Sequence, residues 1–586
     1  MGEKVTSKQA VKESSWIWRK LEQLNSEDGE HRLMTFYSPN ASYARSSSRF
    51  YEIACGIAAW LRHSGVDDGD YVGIDGPLRF EALATWCACL YLGAVAVFYP
   101  DAMRQEARES DAAMRKTRVV VVQDPERAKL WLEARGSSCK KLKYILYMDV
   151  RGQNETVIDQ LLGWPLPDNV FGFEACVEQY EFKPKAAYER RSDLPCAVVF
   201  SQGTTAGPRP QALSSDMIRA GAQVLVSMLQ LVETDSVFYA PDSICAATLS
   251  VFAASIASGA CFVFRFRIND DLEMLQLIDQ SQPHCLFMLP RQIHKLKESI
   301  LTQSSKSSFH TRWNQLCVTV GKFRKRNNKS YLNWSKNVID SVFLRHFKNR
   351  LGENCRAIIS FGAPLLSKDA EFFSFIDIPV YNAYAAVEAG GFAHIRKFGA
   401  EGGFLPTCDH QIQKGMLYLR ALGRESFEST GDYVFEDERC GLCVKRVEKV
   451  KLENGQTVDS LALRDALVRE PLIEEVLICG EGRTYLTALI YLDKDQLLEW
   501  AKAQKIYCAG SFPELCQNPR VYAFVKARVD ACTANRASYE EIRKIALLTT
   551  PLSQDPFILT ETGLVRRYEV EEKYKGIINS FYSDDF

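Results

Sequence analysis

The chain is 586 residues long, with 72 Lys and Arg against 73 Asp and Glu, a formal charge of −1. A hydrophobic share of 46% and a charged share of 25% are ordinary for a folded protein, and they exclude a disordered tail protein, a collagen-like rod and a small disulfide-stapled module. Near-neutral charge argues against a nucleic-acid coat, and the length implies more than one domain with room for a large core.

In chain order, Met1–Thr6 formally fits an N-myristoylation pattern, and no charged, then apolar, then small-residue order marks a secretory signal. Residues 1–50 are polar and mixed. From Phe50 the apolar spacing Ile53, Ile57, Ala58, Leu61 predicts a helix leading to Gly65, a turn over Val66–Asp70 and a strand over Tyr71–Ile74. Two uncharged stretches, Ala82–Pro100 and Ser243–Phe264, approach the roughly 20 residues that cross a bilayer. Each breaks at a glycine, Gly93 or Gly259, and continues as a short β-branched or aromatic run. That pattern predicts a buried helix running into a buried strand rather than a membrane span.

Further strands are predicted at Val95–Phe98, Val119–Val122, Tyr144–Tyr147, Cys196–Phe200, Cys261–Phe264, Cys285–Leu289 and Ala357–Ser360. Strands alternating with helices define an α/β fold of parallel sheets covered by helices. Residues 291–350 depart from the average, with 14 Lys or Arg and two acids, Glu298 and Asp340. The excess reads as a solvated helical face, or as attraction to an anionic membrane surface or a polyphosphate; no motif supports nucleic acid. The 18 cysteines are scattered without repeating spacing and read as small buried hydrophobes of a reducing, cytoplasmic setting. Cys440 and Cys443 have C-x-x-C spacing, but no second pair completes a tetrahedral metal site.

The most informative window is Cys196-Ala197-Val198-Val199-Phe200-Ser201-Gln202-Gly203-Thr204-Thr205-Ala206-Gly207-Pro208-Arg209. A buried strand enters a loop of Gly, Ser and Thr that ends in a cation, with a helical pattern after Asp216. Small residues let backbone N–H groups approach phosphate oxygens, hydroxyls add donors, and Arg adds charge. Without a following Gly-Lys-Ser/Thr it is not a Walker loop. On spacing alone it is either a nucleotide loop or an ordinary turn.

This window resembles the Thr-Ser-Gly-Thr-Thr-Gly-x-Pro-Lys-Gly loop of the adenylate-forming, or AMP-binding, superfamily. The match runs through Ser201, Gly203, Thr204, Thr205, Pro208 and, conservatively, Arg209. Other stretches resemble the family's landmarks in the same order. Ile57–Pro100 is similar to its N-terminal stretch, and Ser360-Phe361-Gly362-Ala363-Pro364-Leu365 to its Ser-Gly-Gly-Ala-Pro-Leu. Tyr381–Glu388 resembles its Tyr-Gly-x-Thr-Glu, Thr430-Gly431-Asp432 its Thr-Gly-Asp, Lys445–Gly455 its hinge, and Thr560–Arg567 its C-terminal motif. Leu351-Gly352…Arg356…Ser360, after an insertion-like helical stretch including Phe309–Val320 and Val338–Leu351, is most similar to long-chain fatty acyl-CoA synthetases.

The resemblance implies a large N-terminal domain of β-α-β sheets, residues 1–443, and a small mobile α+β lid, residues 444–586. It implies activation of a fatty acid by ATP and Mg²⁺ to acyl-AMP, followed by transfer to coenzyme A. Thr204 and Thr205 would hold phosphates with Arg209 beside them, and Ser201 and Gly203 belong to the same loop. Gly362, Ala363 and Pro364 would run along adenine, Tyr384 would stack on it, Asp432 would accept from the ribose, and Glu388 would bind the metal. Lys445 or, one residue along, Arg446 would take the hinge arginine's place, with Glu448 at the acidic pivot.

Departures point the other way. Leu564 stands where the family has the lysine that bridges carboxylate and phosphate, and an isobutyl group does not replace an ammonium's point charge. Arg566 and Arg567 are nearby cations at the wrong offset. Val387 replaces the motif threonine, and the segment between Gly403 and Thr430 is short. Three readings stand open: a working synthetase of reduced activity, a nucleotide- or acyl-binding pseudoenzyme, and an acyl-AMP ligase with a non-CoA acceptor. The protein is expected in the cytoplasm, with peripheral membrane contact through residues 291–350 as a further expectation. Residue order carries no reading of oligomeric state or acyl-chain length.

Overall fold

The computed structural model describes residues 12–13, 15–38, 41–101, 103–148, 167–179, 188–201, 208–265, 271–303, 351–352, 354–363, 365, 367–400, 402–437, 441–446, 448–506, 511–534, 536–554, 558 and 565–583. The chain divides into two compact units. The larger comprises Met1–Ser201, Pro210–Thr430 and Val434–Val444, and the smaller Gln202–Arg209, Gly431–Tyr433 and Lys445–Phe586.

Two sheets organise the larger unit. One has seven strands in the order Pro210–Ser214, Pro195–Phe200, Val95–Tyr99, Tyr71–Asp75, Val119–Val122, Tyr144–Tyr147, Val170–Gly172, parallel except for the first pair. The other has nine strands. Its parallel centre runs Val380–Ala386, Ala357–Phe361, Cys285–Met288, Ser236–Tyr239, Cys261–Arg265, Arg32–Ser38, and antiparallel strands close both edges. A four-stranded sheet, Cys408–Gln413, Met416–Ala421, Glu428–Asp437 and Gly441–Arg446, follows in the chain.

Because strand side chains alternate between faces, each sheet buries two sets. Val72, Ile74, Ala96, Phe98, Val119 and Val121 of the first sheet share one core with Val237, Tyr239, Phe262, Phe264, Ile359 and Phe361 of the second. Between them lie helices Ser47–His63, Phe80–Leu92, Ser215–Leu229 and Ala246–Ser258. The alternate residues of the first sheet, such as Val95, Val97 and Val120, pack with Trp131 and Ala112 of helices Gln105–Met114 and Pro125–Gly136. Those of the second, such as Phe238, Leu286 and Ile358, pack under helices Asp271–Ser281, Pro290–Gln303 and Ser367–Phe375.

The two uncharged stretches behave as their glycine breaks predict. Helices Phe80–Leu92 and Ala246–Ser258 end at Gly93 (φ 76°) and Gly259 (φ 74°), and buried strands begin two residues later. Sandwiched between sheets, these helices bury every side, which removes the amphipathic stripe and imitates a membrane span. Among the described residues no helix is long and apolar enough to cross a membrane. The mixed N-terminal stretch folds more than its composition suggests. Helix Trp16–Glu27 buries Ile17, Trp18 and Leu21 on one face, and Arg32–Ser38 pairs with Ala41–Ser46 at the edge of the nine-stranded sheet.

The smaller unit holds a three-stranded sheet of Ile473–Cys479, Leu486–Leu492 and Ile542–Leu547. Helices Ser460–Leu467 and Pro519–Thr533 pack on one face through Leu463, Leu467, Val521 and Val525, and Val570 and Ile578 of the last two helices pack on the other. The α/β larger domain and smaller α+β domain are those expected.

Candidate functional site

The chemistry-bearing segments leave the C-terminal ends of parallel strands, where open α/β sheets bind ligands. Strand Ala357–Phe361 runs directly into Gly362 and Ala363, both half-buried. Its parallel neighbour Val380–Ala386 places Ala383 opposite Phe361, so Tyr384 comes one residue beyond that pair. A single 3₁₀ turn, Val387–Ala389, then carries half-buried Glu388. Gly362, Ala363, Tyr384 and Glu388 thus lie on adjacent strand ends of one sheet. Ser201 ends Pro195–Phe200 in the other sheet. Gly203, Thr204, Thr205 and Pro364 lie outside the described residues, as do Leu564, Cys440, Met1–Thr6 and most of the basic segment.

Arg209, Asp432, Lys445 and Arg446 group with the smaller unit rather than with these residues. Arg209 is exposed and precedes strand Pro210–Ser214. That strand is tied to the approach to Thr430-Gly431-Asp432: Gln211 donates to Glu428 at 3.1 Å, and Arg424 donates to the Ala212 carbonyl at 2.7 Å. Thr430 in turn donates to the Leu417 carbonyl at 2.9 Å. Lys445 and Arg446 end strand Gly441–Arg446.

The Glu388 turn is held from behind. Gly391 follows it at φ 144°, and a Cβ there would stand 2.7 Å from Ser250 Oγ on helix Ala246–Ser258. The backbone is therefore pressed onto that helix by the absence of a side chain. The Gly390-Gly391 pair beside the motif glutamate was the available signal for this support, and the motif reading passed over it.

A bulge supports Tyr384. The strand Gly391–Lys397 pairs antiparallel with it: His394 is the partner of Tyr384, while Phe392 is the partner of Ala385. Ala393 is thus an extra residue between these two pairs, a bulge directly beside Tyr384. Tyr384 packs against the cluster containing Ala393, Leu417 and Leu419. His394 is 5% exposed and also pairs across the sheet with Phe404, their rings 5.3 Å apart. Phe404 then stacks on His410 at 3.8 Å. Burial first, then Arg396 and His410, pushes the His394 imidazole down to about 4, so it is neutral at physiological pH.

In the smaller unit, Arg567 is already committed. It donates to Glu448, to Glu571 at 3.1 Å, to Ser460 Oγ at 3.0 Å and to the Ile478 carbonyl, and it is 8% exposed. Glu448 also accepts from the Ser460 hydroxyl through its backbone carbonyl at 2.9 Å. Arg356, matched above as a pattern residue, is a clamp at the opposite strand ends. It holds Asp235 through two bonds of 2.7 and 2.6 Å.

No group of three or more His, Cys, Asp or Glu is placed to hold a metal among the described residues. A lone carboxylate such as Glu388 fits Mg²⁺, which takes one or two protein carboxylates and completes its shell from phosphates and water.

The family model for AMP-binding enzymes matches residues 25–414, and that for the AMP-binding enzyme C-terminal domain matches residues 448–585. The chain belongs to the AMP-binding enzyme family. It is similar to the long-chain-fatty-acid–CoA ligase FadD15 of Mycobacterium bovis, 25% identical over 558 residues and covering 89% of each chain. It is also similar to long chain acyl-CoA synthetase 2 of Arabidopsis thaliana, 22% identical over 91% of this chain and 86% of that one. The adenylation domain of a carboxylate reductase from Mycobacterium chelonae shares the fold, with a TM-score of 0.69 at 14% identity over 99% of this chain and 92% of that one.

Proposed function

We propose that the protein activates a long-chain fatty acid with ATP, forming acyl-AMP and pyrophosphate, and passes the acyl group to coenzyme A. The reading is carried by Gly362, Ala363, Tyr384 and Glu388 on neighbouring strand ends of one sheet, in the motif order of the family to which the chain belongs. The names of two relatives, a long-chain-fatty-acid–CoA ligase and a long chain acyl-CoA synthetase, support a long-chain acid.

In this reading Tyr384 stacks on the adenine, and the 362–364 segment runs along its edge. Thr204 and Thr205, with Ser201, Gly203 and Arg209, hold the phosphates by hydroxyl and backbone donors. Asp432 accepts from the ribose hydroxyls. Glu388 would hold Mg²⁺, which supplies charge neutralisation on the phosphates when bound. The reaction needs oriented reactants and stabilised charge rather than a protein nucleophile, so the fatty carboxylate itself attacks the α-phosphorus. Residues 444–586 act as the lid domain, and the charge excess of the sequence over 291–350 would favour contact with an anionic membrane surface.

Leu564 and the committed side chain of Arg567 favour a second reading, in which nucleotide binding survives and adenylation is slow. Pyrophosphate release with palmitate, ATP and Mg²⁺ separates the two. Release above a Glu388→Ala control, dependent on CoA for turnover, supports the synthetase. Release equal to that control removes both enzyme readings, and CoA-independent release points to another acceptor. Leu564→Lys is expected to raise the rate at least about tenfold, the scale of one restored charge contact in a transition state.

A further inference from the structure

We propose that His394 is a positioning residue for the adenine base: its imidazole, on the cross-strand partner of Tyr384 beside a bulge, holds the ring on which the base stacks. The proposal rests on the reading of Tyr384 given above, and no motif of the sequence includes His394.

Three observations carry it. First, His394 is the cross-strand partner of Tyr384 and the bulge at Ala393 lies directly beside that pair, and bulges of this kind re-aim side chains next to active sites. Second, the ring of His394 is held from its far side. Phe404 contacts it edge-on at 5.3 Å and is itself stacked on His410, so a row of rings runs from His410 through Phe404 to His394, the cross-strand partner of Tyr384. Third, space for the imidazole is made by a missing side chain. A Cβ on Gly402 would stand 2.7 Å from His394 Cε1 and 2.9 Å from Nε2.

The choice of histidine is costly where an apolar ring would pack. Among the described residues its buried Nε2 has no hydrogen-bond partner, and an unmet polar atom of this kind destabilises the fold. Tyr384 lies two residues before the end of its strand and four before Glu388, so a shift of its ring is expected at the base rather than at the phosphates.

The test is titration of the full-length protein with a fluorescent ATP analogue modified on the ribose, with inorganic tripolyphosphate as a second ligand. His394→Ala is expected to weaken the ATP analogue about three- to tenfold, the scale of one aromatic support contact, and to leave tripolyphosphate unchanged. His394→Phe keeps the ring and should restore binding to within about twofold. Gly402→Ala crowds the imidazole, and Arg396 Cβ at the same 2.7 Å, without removing the ring; it should reproduce the loss, which covers the case in which His394→Ala does not fold. In a Tyr384→Ala background the effect of His394→Ala should vanish, because the two act through one ring. Equal losses for both ligands, an unchanged affinity, or full additivity with Tyr384→Ala would overturn the proposal. A wild-type chain that binds tripolyphosphate but not the ATP analogue would instead remove the adenine reading, and this inference with it.

Discussion

Asp75 offers a quantitative test of how the larger unit supports the strand that ends at Ser201. Its carboxylate is fully buried at the end of strand Tyr71–Asp75. It pairs with Arg108 at 3.0 Å and with Arg127, and accepts from Trp131 Nε1 at 2.8 Å. The same cluster fixes helices Gln105–Met114 and Pro125–Gly136 to the sheet. The next strand, Val95–Tyr99, pairs with Pro195–Phe200, and the rings of Tyr99 and Phe200 lie 5.7 Å apart. Asp75→Asn keeps the volume and removes the charge. Arg108, 5% exposed at its side chain, then keeps the Pro100 and Asp101 carbonyls, at 2.9 and 2.7 Å, but loses the carboxylate that balances its charge. Breaking a buried pair in this way costs about 3–5 kcal/mol. Asp101 keeps Arg127 partnered at 2.8 Å but is half exposed, which offsets at most about 1 kcal/mol. The expected loss is therefore roughly 2–5 kcal/mol. Urea unfolding of the full chain followed by tryptophan fluorescence should show a lower midpoint with an unchanged slope. Adding Arg108→Met to Asp75→Asn removes the orphaned cation and should recover at least half of the loss. A midpoint unmoved by Asp75→Asn, or a double variant weaker than the single one, would refute the reasoning.

Acid should weaken the larger unit. His394 has its folded value lowered to about 4 against an ordinary 6.5, so the unfolded chain binds the extra proton. Stability is full above that ordinary value and is lost progressively as pH falls from there through about 4, by on the order of 3 kcal/mol; unfolding midpoints across this range should flatten in His394→Phe. Asp235 and His284 are both shifted down. Burial opposes the charged form of Asp235 but the Arg356 hydrogen bonds outweigh it, whereas burial leads for His284. Both contributions are present at neutral pH and lost on acidification, and Arg356→Met should remove the Asp235 part of the slope. In the smaller unit, Arg567→Met leaves Glu448 and Glu571 without their guanidinium. It should cost about 3–5 kcal/mol, read as faster proteolysis within residues 445–586 while residues 25–414 stay protected. Arg567→Lys should not rescue it, because one ammonium cannot serve the four acceptors that the planar fork reaches.

Residue order alone carried the parallel strands, the two glycine-ended helices and the motif series. Each is a local signal: apolar runs of strand length, left-handed stops after buried helices, and short loops whose residue types suit phosphate and adenine. The N-terminal helix and strands escaped because Trp16–Glu27 buries only one narrow face and the strands sit at an edge, where polar residues are tolerated. Only the tertiary structure decided which residues stand behind the site. The bulge that sets His394 against Tyr384, the contact of Gly391 with Ser250, and the grip of Arg567 on Glu448 join positions 10 to 141 residues apart. Spacing rules see three or four residues along a helix and two along a strand. Pairs brought together by sheet register and packing leave no such trace, so they became visible only when the strands were laid side by side.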